Sequence, residues 1–239
     1  MMRLKSALVV VNPTKPCAKL LASEVRRFLA ANNIRVVKRA AGASMLITIG
    51  GDGTLLYNKS KFQLPIFAIG SERSSICQST AKNWKVKLQR ILARGFTTEK
   101  RMMLECKVDG RKVEDALNDV VIRSRNHRVI TLKLNVGARH FSFCADGVLF
   151  STPTGSTAYC YSCGGSELPR HARRYEVVAV APYRRAFKPQ VIQDSTACSV
   201  VVKTSNADLV FDGQFVRRVK AGSKIGIRKS RENVMLIRA

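Results

Sequence analysis

Apolar residues recur along the chain with two different periods, and the change from one to the other divides it. Residues 7–11 form an unbroken apolar run closed by Asn12-Pro13, the form of a strand covered on both faces. Between 18 and 31, Leu21, Val25, Phe28 and Leu29 share one helical face, which Asn32-Asn33 ends. Strands are expected over 34–38, 45–49 and 64–69, and Leu55 and Leu56 suggest a helix after the third. Trp84, Leu88, Ile91 and Leu92 mark an amphipathic helix stopped at Gly95. Strands alternating with helices give a parallel sheet. Beyond Thr97 the period falls to two: Met102, Leu104, Cys106 and Val108 lead to an Asp109-Gly110 turn, and Ile130, Leu132, Leu134 and Val136 lead to Gly137. Further strands are expected over 141–150, with a turn at Asp146-Gly147, and over 176–181, 199–203, 209–211 and 224–228. The pattern predicts an α/β N-terminal domain with a parallel sheet over 1–96 and a β-rich C-terminal domain over 97–228. A last strand within 229–239 returns to the first domain.

A chain of 239 residues can bury one large core or two smaller ones. No apolar run reaches membrane-spanning length, so no membrane partner is expected, and the short run after the basic start reads as a strand rather than a signal peptide. Seven scattered cysteines, an odd number, fit free thiols in a cytoplasmic protein. Cys160 and Cys163 have metal-like spacing but no second pair, so packing is the expectation for them. Lys and Arg outnumber Asp and Glu by 42 to 16, a formal charge of +26. That attracts phosphorylated nucleotides, and nucleic acid through non-specific charge alone, since the excess is spread along the chain and forms no arm.

Three stretches carry candidate chemistry. Gly50, Gly51, Asp52, Gly53 and Thr54 follow the third strand directly; glycines there let the chain turn tightly and bring main-chain N–H groups against phosphate oxygens. No Gly-Lys-Ser/Thr follows, so this is not a Walker loop. Asp52, flanked by glycines, is expected to be exposed at this loop, where its carboxylate can also cap the helix that follows. Asn118 and Asp119 lie between apolar Ala116-Leu117 and Val120-Val121-Ile122, where two polar residues need partners, from a ligand or from a turn. Over 151–157, Ser151, Thr152, Thr154, Ser156 and Thr157 give five hydroxyls around Pro153 and Gly155. Such a loop presents donors, and a helix starting at Ser156 adds free N–H groups.

The run from Asp146 through Ser-Thr-Pro-Thr-Gly-Ser-Thr-Ala-Tyr to Gly164-Gly165 closely resembles the signature of the NAD kinase family. The Gly-Gly-Asp-Gly-Thr, Asn118-Asp119-Val120-Val121 and Phe211-Asp212-Gly213-Gln214 segments resemble the same family in the same order. The resemblance implies an α/β domain followed by a β-sandwich NAD-binding domain. It implies transfer of a phosphoryl group from ATP, or polyphosphate, to the 2′-hydroxyl of the adenosine ribose of NAD, with Mg²⁺ or another divalent cation whose ligands the sequence does not identify. By the same resemblance Asp52 is the catalytic base. NAD is held by Asp52, Gly53, Asn118, Asp119, Asp146, Thr157, Ala158, Tyr159, Ser162 and Gln214. Gly50, Gly51, Gly53, Thr54, Thr154, Gly155 and Ser156 bind phosphate, and the protein is a homo-oligomer, dimer or tetramer. The chain departs from the pattern over 70–77, where the family carries Asn-x-Gly-x-x-Gly-Phe and this sequence reads Gly-Ser-Glu-Arg-Ser-Ser-Ile-Cys, and at Cys144, where many members carry a basic residue. Two other readings stand beside it: a lipid or sphingoid kinase, which shares Gly-Gly-Asp-Gly but not the second motif, and a basic nucleotide-binding protein without catalysis, against which Asp52 counts.

Overall fold

The computed structural model describes residues 2–126 and 128–238. The chain forms two compact units, Met1–Lys100 with Val234–Ala239 and Arg101–Asn233. The expected mixed class is the class observed, a parallel sheet with helices followed by antiparallel β structure.

In the first unit β1 (Ser6–Val11), α1 (Pro16–Ala31), β2 (Arg35–Val37), β3 (Met45–Ile49), α2 (Asp52–Asn58), β4 (Ile66–Gly70), β5 (Ser79–Thr80) and α3 (Trp84–Arg94) follow in order. The strands run parallel in the order β2-β1-β3-β4, with β5 beside the end of β4. Every residue of β3 is buried, because helices cover a parallel sheet on its faces. Val25 and Leu29 of α1 and Leu88 and Ile91 of α3 share one core with Ile47, Ile49 and Phe67, and Phe28 meets Trp84 edge to face at 5.5 Å. Gly95, with φ 74°, ends α3 as expected.

The second unit is built from most of β6 (Thr97–Val108), β7 (Arg111–Ala116), β8 (Asp119–Ser124), β9 (Ile130–Val136), β10 (Arg139–Ala145), β11 (Gly147–Ser151), α4 (Tyr159–Ser162), β12 (Arg174–Val180), β13 (Gln190–Gln193), β14 (Cys198–Val202), β15 (Ala207–Phe211), β16 (Phe215–Val219) and the larger part of β17 (Lys224–Arg238), the start of β6 and the end of β17 belonging to the first unit. One antiparallel sheet has the order β13-β12-β11-β8-β15-β16, and a second layer contains β10-β9-β14-β17. Val120, Ile122, Val148 and Phe150 of the first sheet pack with Ile130, Leu132, Leu134 and Val200 of the second. The end of β17 pairs within the first unit, Leu236 opposite Ile66. The turn expected at Asp146-Gly147 is where the chain leaves β10 and enters β11 of the other sheet. Gly147 is required there, since a Cβ would lie 2.3 Å from the Ile122 carbonyl oxygen. The other face of the six-stranded sheet is also apolar: Val121, Leu149 and Val178 pack against Cys160 of α4. This double burial explains why 120–122 and 148–150 are apolar without alternation. Among the described residues no helix is long and apolar enough to cross a membrane.

Candidate functional site

In the first unit the chain leaves β3 through Gly50 and Gly51, whose φ values of 142° and 103° only glycine adopts without strain. Gly50 also packs on Asn12, whose Cβ would lie 2.6 Å from an added Cβ. Its carbonyl accepts Lys15 Nζ at 2.8 Å. Asp52 is the first residue of α2 and Gly51 the cap, with no side-chain cap bond, so Asp52 is not the helix cap that the sequence left open. Its carboxylate instead accepts the Ser75 amide at 2.8 Å and Ser75 hydroxyl at 3.2 Å on Oδ2, and the Ile76 and Cys77 amides at 3.2 and 3.1 Å on Oδ1. The atypical 70–77 segment is therefore the binding partner of Asp52. Burial first, and then the neighbouring Asp52 charge, push the Cys77 thiol far above its ordinary value, which disfavours the thiolate. Gly53 is exposed, and the buried Thr54 hydroxyl has no hydrogen-bond partner. Glu72 pairs with Lys82 at 3.7 Å rather than with Arg73, and Arg73 is exposed.

In the second unit a cavity of about 360 Å³ opens on the α4 side of the six-stranded sheet. Its floor is Val121 and Val210, and its polar wall is Asn118, Asp119, Arg123 and Asp212, with Ala158 and Tyr159 opposite. Strand alternation puts Asp119, Val121 and Arg123 on one face of β8. Asn118 and Asp119 owe their position to Asp212: its carboxylate accepts three successive main-chain N–H groups, Leu117 at 3.0 Å, Asn118 at 2.6 Å and Asp119 at 3.2 Å. Asp212 and Gly213 turn between β15 and β16 with φ 52° and 63°, and the Asp212 amide donates to the Asp119 carbonyl at 3.0 Å. The main-chain groups of this bend are thus bonded, while the side chains face the cavity unsatisfied. Asn118 Oδ1 is buried without a partner, and among the described residues no side-chain bond reaches the Asp119 carboxylate. Burial, and then the Asp212 charge, push Asp119 up to about 7. Tyr159, 37% exposed, is raised by burial foremost.

The hydroxyl-rich loop does something other than present donors. Ser151, Thr152, Thr154 and Ser156 are all buried. Thr152 Oγ1 accepts the Thr154 and Gly155 amides at 3.0 and 3.2 Å and donates to the Leu117 carbonyl. Ser156 Oγ donates to the Pro153 carbonyl at 3.0 Å and accepts the Leu168 amide at 2.9 Å, and Thr154 Oγ1 accepts Arg101 Nη1 at 3.4 Å. An irregular buried loop has no ladder to satisfy its main chain, and the hydroxyls supply the missing partners. A Cβ on Gly155 would lie 2.3 Å from the Asn118 carbonyl oxygen, so this glycine serves the close packing of the loop on the Asn118 bend. The helix begins at Tyr159, not Ser156, and is four residues long.

Of the residues expected to hold NAD, Asn118, Asp119, Ala158 and Tyr159 converge on the cavity. Thr157 and Ser162 are exposed at the two ends of the α4 segment, and Gln214 is exposed beyond Gly213 with its amide on the Phe211 carbonyl. Asp146 sits at the β10–β11 crossing, its main chain bonded to Ser124 and Val180. None of these four lines the cavity. Sequence reasoning passed over Val121, Arg123, Val210 and Asp212; the Asp212-Gly213 turn was in view, but Gln214 was chosen from it. Among the described residues no group of three or more His, Cys, Asp or Glu could hold a metal ion, and Cys160 instead meets Glu176 Oε2 at 3.5 Å.

The model of the ATP-NAD kinase C-terminal domain matches residues 117–239. The NAD kinase of Nitratidesulfovibrio vulgaris strain DP4 is 30% identical over 255 residues, covering 97% of this chain and 85% of that protein. The fold is that of yeast NADH kinase complexed with NADH, with a TM-score of 0.88 at 19% identity over 99% of this chain and 84% of that one. It is likewise that of an NAD kinase from Archaeoglobus fulgidus in complex with ATP, with a TM-score of 0.82 at 24% identity over 98% and 93%.

Proposed function

The chain belongs to the NAD kinase family, and from that premise we propose that it transfers the γ-phosphoryl group of ATP to the 2′-hydroxyl of the adenosine ribose of NAD, giving NADP. The observation that carries this reading is the bare polar pair at the β7–β8 bend: Asn118 Oδ1 without a partner and the Asp119 carboxylate without a bond, both facing a cavity whose floor is apolar. Buried polar groups without partners cost folding free energy, and a ligand bearing hydroxyls and amides satisfies them. Asn118 and Asp119 hold such groups of NAD, and Tyr159 and Ala158 bound the same space. Asp146, Thr157, Ser162 and Gln214 contribute, if at all, from outside the cavity wall.

Phosphoryl transfer needs a proton acceptor and donors for the phosphate oxygens. Asp52 takes the proton of the 2′-hydroxyl. The main chain of Gly51 and Gly53 and the unbonded Thr54 hydroxyl serve the phosphates; Gly50, whose N–H donates to the Ile69 carbonyl at 3.1 Å and whose carbonyl accepts Lys15, shapes the turn instead, and Thr154, Gly155 and Ser156 act through packing, the Thr154 and Ser156 hydroxyls and the Gly155 amide being already bonded. Among the described residues no group of three or more His, Cys, Asp or Glu could hold a divalent cation; Mg²⁺ belongs to the proposal as the counterion of the ATP phosphates, neutralising their charge. ATP as donor, a dimeric or tetrameric assembly and a cytoplasmic location, in keeping with seven free thiols, belong to the same proposal.

The test is NADP formation by purified protein with NAD, Mg²⁺ and either ATP or polyphosphate. In the same assay Asp52→Asn should retain NAD binding and lose roughly 10²-fold or more in turnover. Turnover equal to the unmodified protein removes Asp52 from the mechanism.

A further inference from the structure

The surroundings of Asp52 carry a consequence that rests on the reading above and goes beyond it. A carboxylate has about four lone-pair positions, and four donors of 75–77 take them, two on each oxygen, with the half-buried Cys77 thiol, a weak donor, also against the carboxylate. A hydroxyl that gives its proton to Asp52 must first displace one of these donors.

Three of the four are main-chain N–H groups in a segment that is locked. The Ser74 amide donates to the Ser71 carbonyl at 3.0 Å, and the Ser71 amide donates to Ser74 Oγ at 3.0 Å. The Ile76 side chain is buried. Gly70 is so closely covered that an added Cβ would come within 2.7 Å of Ser74 Cβ and 2.8 Å of Cys77 Sγ. Moving any of these amides means moving the whole turn. The fourth donor, Ser75 Oγ, belongs to an exposed residue, makes one of the two longest bonds of the set at 3.2 Å, and leaves by rotation about a single side-chain torsion.

We propose that the Ser75 hydroxyl is a placeholder for the acceptor: it occupies on Asp52 Oδ2 the position that the ribose hydroxyl takes in the reactive complex, and it turns away when that hydroxyl arrives. The three amides stay and fix the direction in which the vacated lone pair points. The acceptor hydroxyl then donates to Oδ2. As its oxygen bonds to the γ-phosphorus of ATP, the bond from that phosphorus to the ADP oxygen breaks and the hydroxyl proton passes to Asp52. Ser75 exchanges no atom; it is a residue that sets acceptor affinity and selects for a ligand able to donate a hydrogen bond at this point. A serine that competes for the base raises the acceptor concentration needed and leaves the step after displacement unchanged.

Steady-state kinetics with NAD and Mg²⁺·ATP, on the unmodified protein and on Ser75→Ala, Ser75→Gly and Ser75→Thr, test this. Ser75→Ala should lower KM for NAD by about 3–10-fold, the factor one net hydrogen bond is worth. Its kcat should stay within about twofold and its KM for ATP should not change, while Ser75→Thr, which keeps the hydroxyl, should behave as serine does. Ser75→Gly carries the same expectation should the alanine protein fail to fold. An unchanged or raised KM for NAD, or a fall in kcat, overturns the placeholder role and makes the hydroxyl either idle or an aid to the base. An unmodified protein that forms no NADP overturns the function itself and this inference with it, so the two failures are distinguishable.

Discussion

Asp212 Oδ1 accepts the main-chain N–H of Asn118 at 2.6 Å, across 94 residues of sequence, and this contact shapes the cavity. With the Leu117 and Asp119 amides on the same carboxylate, it holds the β7–β8 bend and so aims Asn118 and Asp119. Asp212→Asn substitutes an NH₂ for one acceptor oxygen and sets donor against donor. The expected cost is about 1–3 kcal/mol of folding stability, read from chemical denaturation, together with a roughly tenfold weaker NAD affinity, worth about 1.4 kcal/mol. Unaltered values for both show that the bend holds without Asp212.

Asp119 predicts a pH dependence whose sign follows from its surroundings. Burial and Asp212 push its carboxyl from the ordinary 3.8 to about 7, so the folded protein binds the proton more tightly than the unfolded chain. The stability this contributes is full below pH about 4 and is lost as pH rises through about 7, by at most about 4 kcal/mol. Unfolding free energy measured without ligand from pH 4 to 8 should show that decline, and Asp119→Asn should remove most of it. An identical decline in the variant assigns the effect to other groups.

Gly155→Ala tests the loop as scaffold. The new Cβ would lie 2.3 Å from the Asn118 carbonyl oxygen, a contact main-chain atoms cannot relieve without moving the bend. A loss of about 1–3 kcal/mol is expected, with weaker NAD binding. If stability is kept and only the ATP dependence changes, Gly155 meets phosphate instead.

Arg73 is exposed beside the turn that binds Asp52, and Glu72 is engaged with Lys82. Arg73→Ala should raise KM for the phosphate-bearing donor at low ionic strength, with an effect that shrinks as salt is added. Equal KM values at low salt reduce Arg73 to a solvated side chain.

The elements whose side chains answer to a local period were legible from the order of residues. The buried run of β3, the helical face of Val25, Phe28 and Leu29, the stop at Gly95 and the alternation of Ile130 to Val136 follow from what each segment must hide from water. The ordered motifs led to the family as well, because Gly-Gly-Asp-Gly-Thr and Ser-Thr-Pro-Thr-Gly-Ser-Thr are local strings. Tertiary structure alone decided what those strings bond to. The Asp52 carboxylate is claimed by residues 23 to 25 positions away, and the hydroxyls of Thr152 and Ser156 turn inward because an irregular buried loop must satisfy its own amides and carbonyls. Asp212 is paired with the Asn118 bend by a hairpin nearly a hundred residues later. Hydrogen-bond partners across such separations leave no periodic trace in a sequence; they exist only once the sheets have brought β8, β11 and β15 side by side.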